Sequence, residues 1–340
     1  MARYWLLSCL SLAITGIAAP DYRQITTFTG PCVRELAVMA KEGDITSARA
    51  QARALCRSDA EQSCPDLWLV YAYCEIRLDE PGVLEICEDV ARRLPKSAAA
   101  HMLHLRAIIA SVDSGNVIQS FTKLKKAVRS AEYAVACDPD CHTARIVLIM
   151  VYSMPKLFGG DTAKLKLHLS ELSQRSAHDY ALVQGMLQVR LDNHAAAIMN
   201  FEEAKRLDPS NRHPVMLMIK SKVEMGDYDG AFTLCKKIEP EFTGDGQGQE
   251  KFVELSAQSL LHVEEALVAS REYLETAKGI TPEERAKVLA HTAIILKSIG
   301  RVDESKQRME EARRAWKNVD DHVKKLAKKY HKQGSKVVAR

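Results

Sequence analysis

Apolar residues at helical spacing between residues 179 and 209 predict two short helices that pack against each other. On the second helix, Ala197, Phe201 and Ala204 are spaced i, i+4 and i+7, which places them on one face. Gly185 and the two alanines are small where the helices must approach closely, and Phe201 fills the space beside them. The proline at the end of the stretch stops the helix, because proline lacks a backbone N–H and restricts the residue before it.

A turn pattern recurs along the chain, in which a glycine precedes a small or apolar residue by five positions. Glycine allows one helix to end, and the aspartate that usually follows it caps the start of the next helix. Apolar residues at helical spacing follow these turns, and Ala231 comes 34 residues after Ala197. The four occurrences are Gly43 with Ala48, Gly160 with Leu165, Gly226 with Ala231, and Gly300 with Ser305.

These features resemble the tetratricopeptide repeat (TPR), a helix-turn-helix unit of 34 residues. The resemblance covers nearly all of residues 29–319. It implies an all-α fold, a right-handed superhelical stack of about eight TPR-like helix hairpins, which is an α-solenoid. The array as a domain is predicted over residues 20–319. Its helix pairs are predicted at 29–62, 65–98, 99–140, 142–175, 178–211, 212–245, 250–281 and 286–319.

The turn from Met154 to Asp161 departs from the plain repeat, since it contains a proline and paired glycines. These residues favour a wide turn, with Leu157 and Phe158 available to tuck underneath it. The backbone amides of such a turn could hold an anion, but the lysine and hydroxyl of a nucleotide-binding loop are missing. We therefore interpret the turn as structural.

The first 19 residues have the features of a secretory signal peptide. One positive charge precedes an apolar run, and Gly16 and Ala18 are small at the two positions that signal peptidase reads. We expect cleavage after Ala18 or Ala19, and hence export to the periplasm or into the secretory pathway and the extracellular space. An uncleaved anchor is the alternative, but the apolar run is shorter than the ~20 residues that a spanning helix needs.

Eight cysteines remain after residue 19, an even number in a chain predicted to enter an oxidising compartment. Residues equidistant from the turn of a helical hairpin lie at the same height and can approach within disulfide distance. Cys64 could compete for Cys56, and Cys235 is expected to stay reduced on a buried face. The alternative is that all are small buried thiols. The predicted bonds are Cys32–Cys56, Cys74–Cys87 and, across a proline turn, Cys137–Cys141.

The sequence from Cys137 to His142 is the strongest local candidate for cofactor chemistry. A c-type haem site has two residues between its cysteines and histidine directly after, whereas here there are three. His101 and His104 share a helical face, with no evident carboxylate or cysteine partner, and we expect them to be partly exposed. No nucleophile elbow, zinc-protease motif or dinucleotide fingerprint occurs in the sequence. We therefore predict a protein that is not an enzyme and that has no cofactor or bound metal.

The TPR resemblance implies that the first helix of each pair lines a concave groove that binds partners. Apolar side chains are predicted there, which excludes the asparagine and lysine clamp for chaperone C-termini and favours an apolar helix or extended peptide. The alternative is that these residues pack against each other in a tightly wound superhelix. The predicted partner-binding residues are Leu69, Val70, Tyr73, Ile76, Ile146, Val147, Met150, Leu182, Val183, Met186, Val189, Met216 and Leu217.

Charge changes this picture only at the C-terminus, because the net charge of +4 is too small to indicate nucleic-acid binding. Residues 320–340 are predicted to form a basic capping helix and tail, with Val319, Val323, Leu326 and Tyr330 on one face. Its lysines could also contact an anionic membrane or an acidic partner.

The predicted function is an extracytoplasmic scaffold that binds protein or peptide partners. One alternative is a carrier of a small apolar ligand, held in the groove or under the Phe158 turn. The other is a cofactor protein centred on Cys141 and His142.

Overall fold

The fold is a series of helix pairs without β-strands in the part of the chain that the structure describes. A computed structural model describes residues 31–41, 44–58, 64–78, 81–112, 117–241, 246–277, 280–324 and 326–327. Consecutive helices are separated by only a few residues, and most neighbours in sequence pack against each other. The all-α fold of stacked helix hairpins is therefore confirmed. The predicted signal peptide lies outside the described residues.

Eight helix pairs occupy the described residues, close to the positions that the sequence predicts. A single 3-10 turn, Lys156–Phe158, lies between the two helices of the fourth pair. The pairs are α1 Pro31–Lys41 and α2 Ile45–Ser58, α3 Pro65–Leu78 and α4 Val83–Arg93, α5 Ala98–Ala110 and α6 Val117–Cys137, α7 His142–Tyr152 and α8 Thr162–Arg175, α9 Ala177–Arg190 and α10 His194–Leu207, α11 His213–Met225 and α12 Tyr228–Glu241, α13 Gln247–Ser259 and α14 Val263–Thr276, and α15 Pro282–Ser298 and α16 Val302–Ala315.

The chain divides into two compact units, residues 1–214 and residues 215–340, at the start of α11. The repeat pattern continues across this point, since Ala197 and Ala231 lie on either side of it at the repeat period. The sequence therefore predicts one array and contains no sign of the division.

The first unit is built around small residues that allow its helices to approach closely. Ala197, Phe201 and Ala204 on α10 are fully buried, as their spacing predicts. A Cβ atom added to Gly185 on α9 would lie 2.4 Å from Cε1 of Phe201. Because real Cβ atoms do not approach carbon this closely, glycine is required where α9 meets the Phe201 ring.

The second unit has the same construction. Ala231, Cys235 and Ile238 form a buried face on α12, as predicted from the sequence. After α16 the chain is helical again at residues 319–324, and Val319 is fully buried against the last pair. The described part of the predicted capping segment therefore packs on the end of this unit, while Tyr330 lies outside the described residues.

Aspartates cap the helices that follow the predicted turns. Asp161 Oδ1 accepts hydrogen bonds from the backbone N–H groups of Ala163 and Lys164, both at 3.0 Å. Asp227 Oδ1 accepts one from Gly230 at 2.9 Å, and its preceding glycine has a φ of +80° that favours glycine. These bonds satisfy N–H groups that the first helical turn leaves without a partner.

Helix α15 begins with a capping box formed by Thr281 and Glu284, and removing it should lower the stability of the protein measurably. Thr281 Oγ1 accepts from the Glu284 N–H at 3.2 Å, while Glu284 Oε2 accepts from the Thr281 N–H at 2.7 Å. Replacing Thr281 with alanine should lower the free energy of unfolding by about 1 kcal/mol in urea denaturation. Thr276→Ala, at an exposed position near the end of α14, is the control and should change it by less than about 0.5 kcal/mol. Equal losses in the two variants would contradict the capping role.

Candidate interaction face

The predicted partner-binding residues all lie on the first helices of their pairs, but most of them are buried. Ile76, Val189 and Met216 are partly exposed. This burial corrects the expectation of an open apolar groove and agrees with the alternative, in which these side chains pack against each other. The ten buried residues are Leu69, Val70, Tyr73, Ile146, Val147, Met150, Leu182, Val183, Met186 and Leu217.

The reason for the burial is the number of helices that surround each first helix. Helix α3 packs against α1, α2, α4 and α5, and α9 packs against α7, α8 and α10. A helix with neighbours on three or four sides is covered over more of its circumference than its apolar stripe alone indicates. Accessible apolar surface is therefore left only at the margins of these helices.

Polar side chains join α7 to α9 at both ends of their contact. At one end, His142 Nδ1 lies 2.8 Å from Asp179 Oδ2. At the other end, the Arg190 guanidinium donates to the backbone oxygen of Met150 at 3.2 Å and to the hydroxyl of Ser153. These contacts fix the positions of the two helices and place the partly exposed Val189 next to an anchored arginine.

Arg145 is a buried charge that the sequence analysis did not identify. Its guanidinium is paired with Glu171, lies 3.3 Å from Nδ1 of His168, and donates to the Pro139 carbonyl at 2.8 Å. A buried guanidinium without such partners would cost several kcal/mol. The Arg145 contacts therefore hold α7, α8 and the turn before α7 together. No local signal reveals them, since the arginine stands within an apolar run.

Tyr152 belongs to a second polar group in the first unit. Its hydroxyl donates to Glu132 Oε1 at 2.7 Å, and Lys164 Nζ donates to the same oxygen at 2.8 Å. Burial, together with the neighbouring Glu132 carboxylate, raises the pKa of Tyr152 to about 12. The phenol stays protonated at neutral pH, so it serves as a hydrogen-bond donor between helices and not as a base.

The predicted Cys74–Cys87 bond is absent, because both cysteines have free thiols. Both are fully buried in the core of the first unit, and burial raises the pKa of each to about 12. The predicted disulfide is therefore wrong, and Cys74 and Cys87 are two separate buried thiols. Cys235 has a free buried thiol, as expected from the sequence. The side chain of Cys32 lies outside the described residues, so the Cys32–Cys56 bond stays a prediction.

The predicted Cys137–Cys141 bond is also absent. Cys137 is exposed at the end of α6 and its thiol lies 3.6 Å from the Pro95 carbonyl oxygen. Cys141 is fully buried before α7, where burial raises its pKa to about 11. One thiol thus contacts solvent and the other the core, because the turn between them separates the two side chains.

The histidine of this segment has a polar partner on α9, since His142 Nδ1 lies 2.8 Å from Asp179 Oδ2. In the described ranges, no group of three or more His, Cys, Asp or Glu residues could hold a metal ion. His101 is buried instead of partly exposed, and its Nε2 lies 3.0 Å from the Pro95 carbonyl. His104 pairs with Ser130 at 3.0 Å, so both histidines serve helix packing.

The turn after α7 closes tightly on its own backbone. Phe158 packs against the core as expected, and an added Cβ on Gly160 would lie 1.6 Å from the Met154 oxygen. Leu157 does not tuck underneath, since it is 80% exposed, which corrects the expectation. A cavity of about 500 Å³ lies beside α1, and three of its five lining residues are charged while two are apolar. Its lining residues are Arg34, Glu35, Val38, Met39 and Asp44.

None of the helices in the described ranges combines the length and the apolar content that crossing a bilayer requires.

Comparison with known proteins finds similarity in fold alone. No family model matches the chain, and no curated protein matches it. A thermophilic TPR protein from Thermus thermophilus is 14% identical, with a TM-score of 0.44 over 57% of this chain and 96% of that one. A TPR protein from Parabacteroides merdae is 13% identical, with a TM-score of 0.46 over 89% and 100%. Yeast Tom70 is 12% identical, with a TM-score of 0.44 over 87% and 71%. These likenesses are too remote to support an argument about function.

Proposed function

We propose that this chain is a scaffold that binds protein or peptide partners in an extracytoplasmic compartment and has no enzymatic activity. The compartment rests on the signal-like features of residues 1–19. The binding role rests on one observation. Ile76, Val189 and Met216 are apolar, lie on first helices and stay partly exposed, although the rest of the predicted groove is buried.

The best-defined of these three positions is the end of α9 in the first unit, which we consider by itself. Val189 directly precedes Arg190, whose side chain is anchored to α7 through the Met150 carbonyl and the Ser153 hydroxyl. These contacts fix the end of α9, so a partner that covers Val189 meets a helix end that is already ordered. A helical or extended peptide with an apolar anchor fits this surface.

Val189→Glu should reduce the capture of partner proteins from the native compartment by about tenfold or more, because it places a charge where an apolar contact forms. Leu167→Glu is the matched control, since Leu167 is also apolar and exposed but lies on the second helix of its pair. Capture is measured by pull-down with quantitative mass spectrometry, and helicity by circular dichroism. Unchanged capture by Val189→Glu, or an equal loss with Leu167→Glu, would exclude this face as the binding site.

A further inference from the structure

Exposed apolar side chains stand at one end of every helix pair in the second unit. They occur at the turns between the first and second helices of the pairs, and we call this surface the turn edge. Its three turns are residues 222–230, 259–265 and 297–304. Its large apolar side chains, each between 36% and 52% exposed, are Met225, Leu260, Leu261, Ile299 and Val302.

Contacts between helices join the three turns into one surface. The His262 ring, in the turn before α14, lies 4.4 Å from the Phe232 ring on α12, measured between centroids. Helix α13 packs directly against α15, so the turns that follow these two helices are neighbours. The pKa of Arg301 in the last turn is raised, first by its hydrogen bond to Glu304 and then by the charge of Glu264 on α14.

The turn between α13 and α14 holds two leucines outward through an unusual backbone. Leu260 has φ +58° and His262 has φ +51°, both in the left-handed region that residues other than glycine seldom adopt. Hydrogen bonds keep this geometry: Ser256 Oγ donates to the Leu261 carbonyl at 2.5 Å, and the Leu260 N–H donates to the Ser256 carbonyl at 2.7 Å. Exposed apolar side chains on such a fixed support indicate a contact surface.

The charges around these apolar side chains are mostly negative. The three turns contain seven acidic and three basic residues, a net charge of −4, whereas the whole chain carries +4. Two of the acids have basic partners, since Asp227 pairs with Lys222 and Glu304 with Arg301, both at 2.6 Å. The exposed carboxylates without an ion pair to any described residue are Glu224, Asp229 and Glu264. The turn edge therefore attracts a cationic partner and repels an anionic one.

We propose that the turn edge of the second unit binds a basic amphipathic helix of a partner protein. The apolar face of such a helix covers the exposed leucines, isoleucine, valine and methionine. Its lysine or arginine side chains, which flank the apolar face, reach the three carboxylates that have no partner of their own. This inference does not rest on the Val189 position, which belongs to the first unit.

The spacing of the turns suits a helix as the partner. The axes of packed helices are about 8–10 Å apart, so the leucines at the end of α13 and Ile299 at the end of α15 are separated by a similar distance. Residues seven apart on one face of a helix are separated by about 10.5 Å. A helix laid across the two turns can therefore contact both with apolar side chains at positions i and i+7.

Fluorescence anisotropy of a labelled synthetic peptide tests the proposal on the full-length chain. The probe is a helical peptide of about 20 residues, with leucines along one face and lysines on the others. One companion peptide has glutamate in place of lysine, and another has the same residues in an order without an apolar face. The wild type should bind the probe at least about tenfold more tightly than either companion.

Variants of the turn edge separate its apolar and charged contributions. The double variant Leu260→Ser, Leu261→Ser should bind the probe about tenfold more weakly, because two apolar contacts are removed. The triple variant Glu224→Gln, Asp229→Asn, Glu264→Gln should lose a similar factor, about tenfold, at low ionic strength. Its loss should become smaller in high salt, because exposed charges are then screened.

Each variant has a matched control in the second unit. Val268→Ser controls for the leucines, because Val268 on α14 is 51% exposed but lies away from the turns. The triple variant Glu272→Gln, Glu275→Gln, Glu310→Gln removes the same charge from exposed positions outside the turns. Both controls should bind the probe as the wild type does, and all variants should keep wild-type helicity.

The proposal is overturned by equal binding of the lysine and glutamate peptides, by wild-type binding in either edge variant, or by an equal loss in its control. Other occupants would overturn it too. Binding to phosphatidylcholine vesicles with phosphatidylserine, or self-association in sedimentation, that the leucine variant loses would make the edge a membrane surface or a contact between two copies. Probe binding that appears only after removal of residues 328–340 would make that segment the occupant. The Val189→Glu test uses another variant and another readout, so either test can fail by itself.

Discussion

Replacing Phe201 with alanine should lower the free energy of unfolding by about 3–5 kcal/mol, the cost of deleting a buried phenylalanine from a packed core. Phe201 is fully buried on α10, and its ring touches the backbone of α9 at Gly185. Few atoms can move into the space that the ring leaves, because its neighbours on the same face of α10, Ala197 and Ala204, are small and already fully buried. Urea denaturation followed by circular dichroism measures the loss.

Met199→Ala is the control on the same helix, since Met199 is largely exposed and its loss should change stability by less than about 0.5 kcal/mol. Gly185→Ala provides a coupled test. Its new Cβ collides with Phe201 in the wild type but not in the Phe201→Ala variant, so the two changes should cost less together than their separate costs add up to. A loss below about 1 kcal/mol for Phe201→Ala would show that the helix pair has a different register.

His291 should make the second unit less stable as the pH falls from about 6.5 to 4. The ring is almost completely buried on α15, and neither ring nitrogen has a hydrogen-bond partner in the described structure. Burial lowers the pKa of His291 to about 4. The Glu254 carboxylate opposes this shift in part, and the charges of His322, Lys251 and Lys287 add to it.

The direction of the pH effect follows from the pKa of His291, which is 6.5 in the unfolded chain and about 4 in the folded one. Above pH 6.5 His291 is neutral in both the folded and unfolded states, so its full contribution to stability is present. Between pH 6.5 and 4 the unfolded chain binds a proton that the folded chain excludes, and stability is lost. A shift from 6.5 to about 4 corresponds to a loss of about 3 kcal/mol at the acidic limit.

The effect of His291 has to be measured as a difference between the wild type and a variant. Glu250, in the same unit, makes the folded state more stable as the pH falls, which is the opposite effect. Burial raises the pKa of Glu250 to about 7, with the charges of Glu284 and Glu254 adding to the shift, so its folded form gains a proton as the pH falls. We therefore compare the wild type with His291→Leu by urea denaturation from pH 7.5 to 4. The variant should lose less stability than the wild type over this range. Equal pH dependence would show that His291 is accessible to protons in the folded state.

His213→Leu is the matched variant in the first unit. Burial also lowers the pKa of His213 to about 4, and the charge of His178 adds to the shift while Asp179 opposes it. This variant should flatten the pH dependence of the first unit and leave the effect of His291 unchanged, because the two histidines belong to different units.

The sequence by itself determined the helices and their pairing. Turn glycines, capping aspartates and apolar residues at helical spacing act over a few residues, so their meaning does not depend on distant parts of the chain. The buried face of Ala197, Phe201 and Ala204 and the need for a small residue at Gly185 were predictable for the same reason. The all-α class then follows from repetition of one local unit.

Only the tertiary structure decided which apolar faces stay accessible. The apolar positions of Leu182 and Met186 are identical in sequence pattern to those of a binding groove, yet neighbouring helices bury them. The spacing of apolar residues indicates that a side chain is kept from water. It does not indicate whether another helix of the same chain or a binding partner covers that side chain.

Directions of side chains and long-range charge pairs were also decided only by the tertiary structure. Spacing about a turn predicts that Cys137 and Cys141 lie close together, but the first thiol is exposed and the second is in the core. Arg145 meets Glu171 across 26 residues of sequence, at a position where the local pattern predicts an apolar side chain. Contacts of this kind depend on how complete helices pack, and local propensity contains no information about that packing.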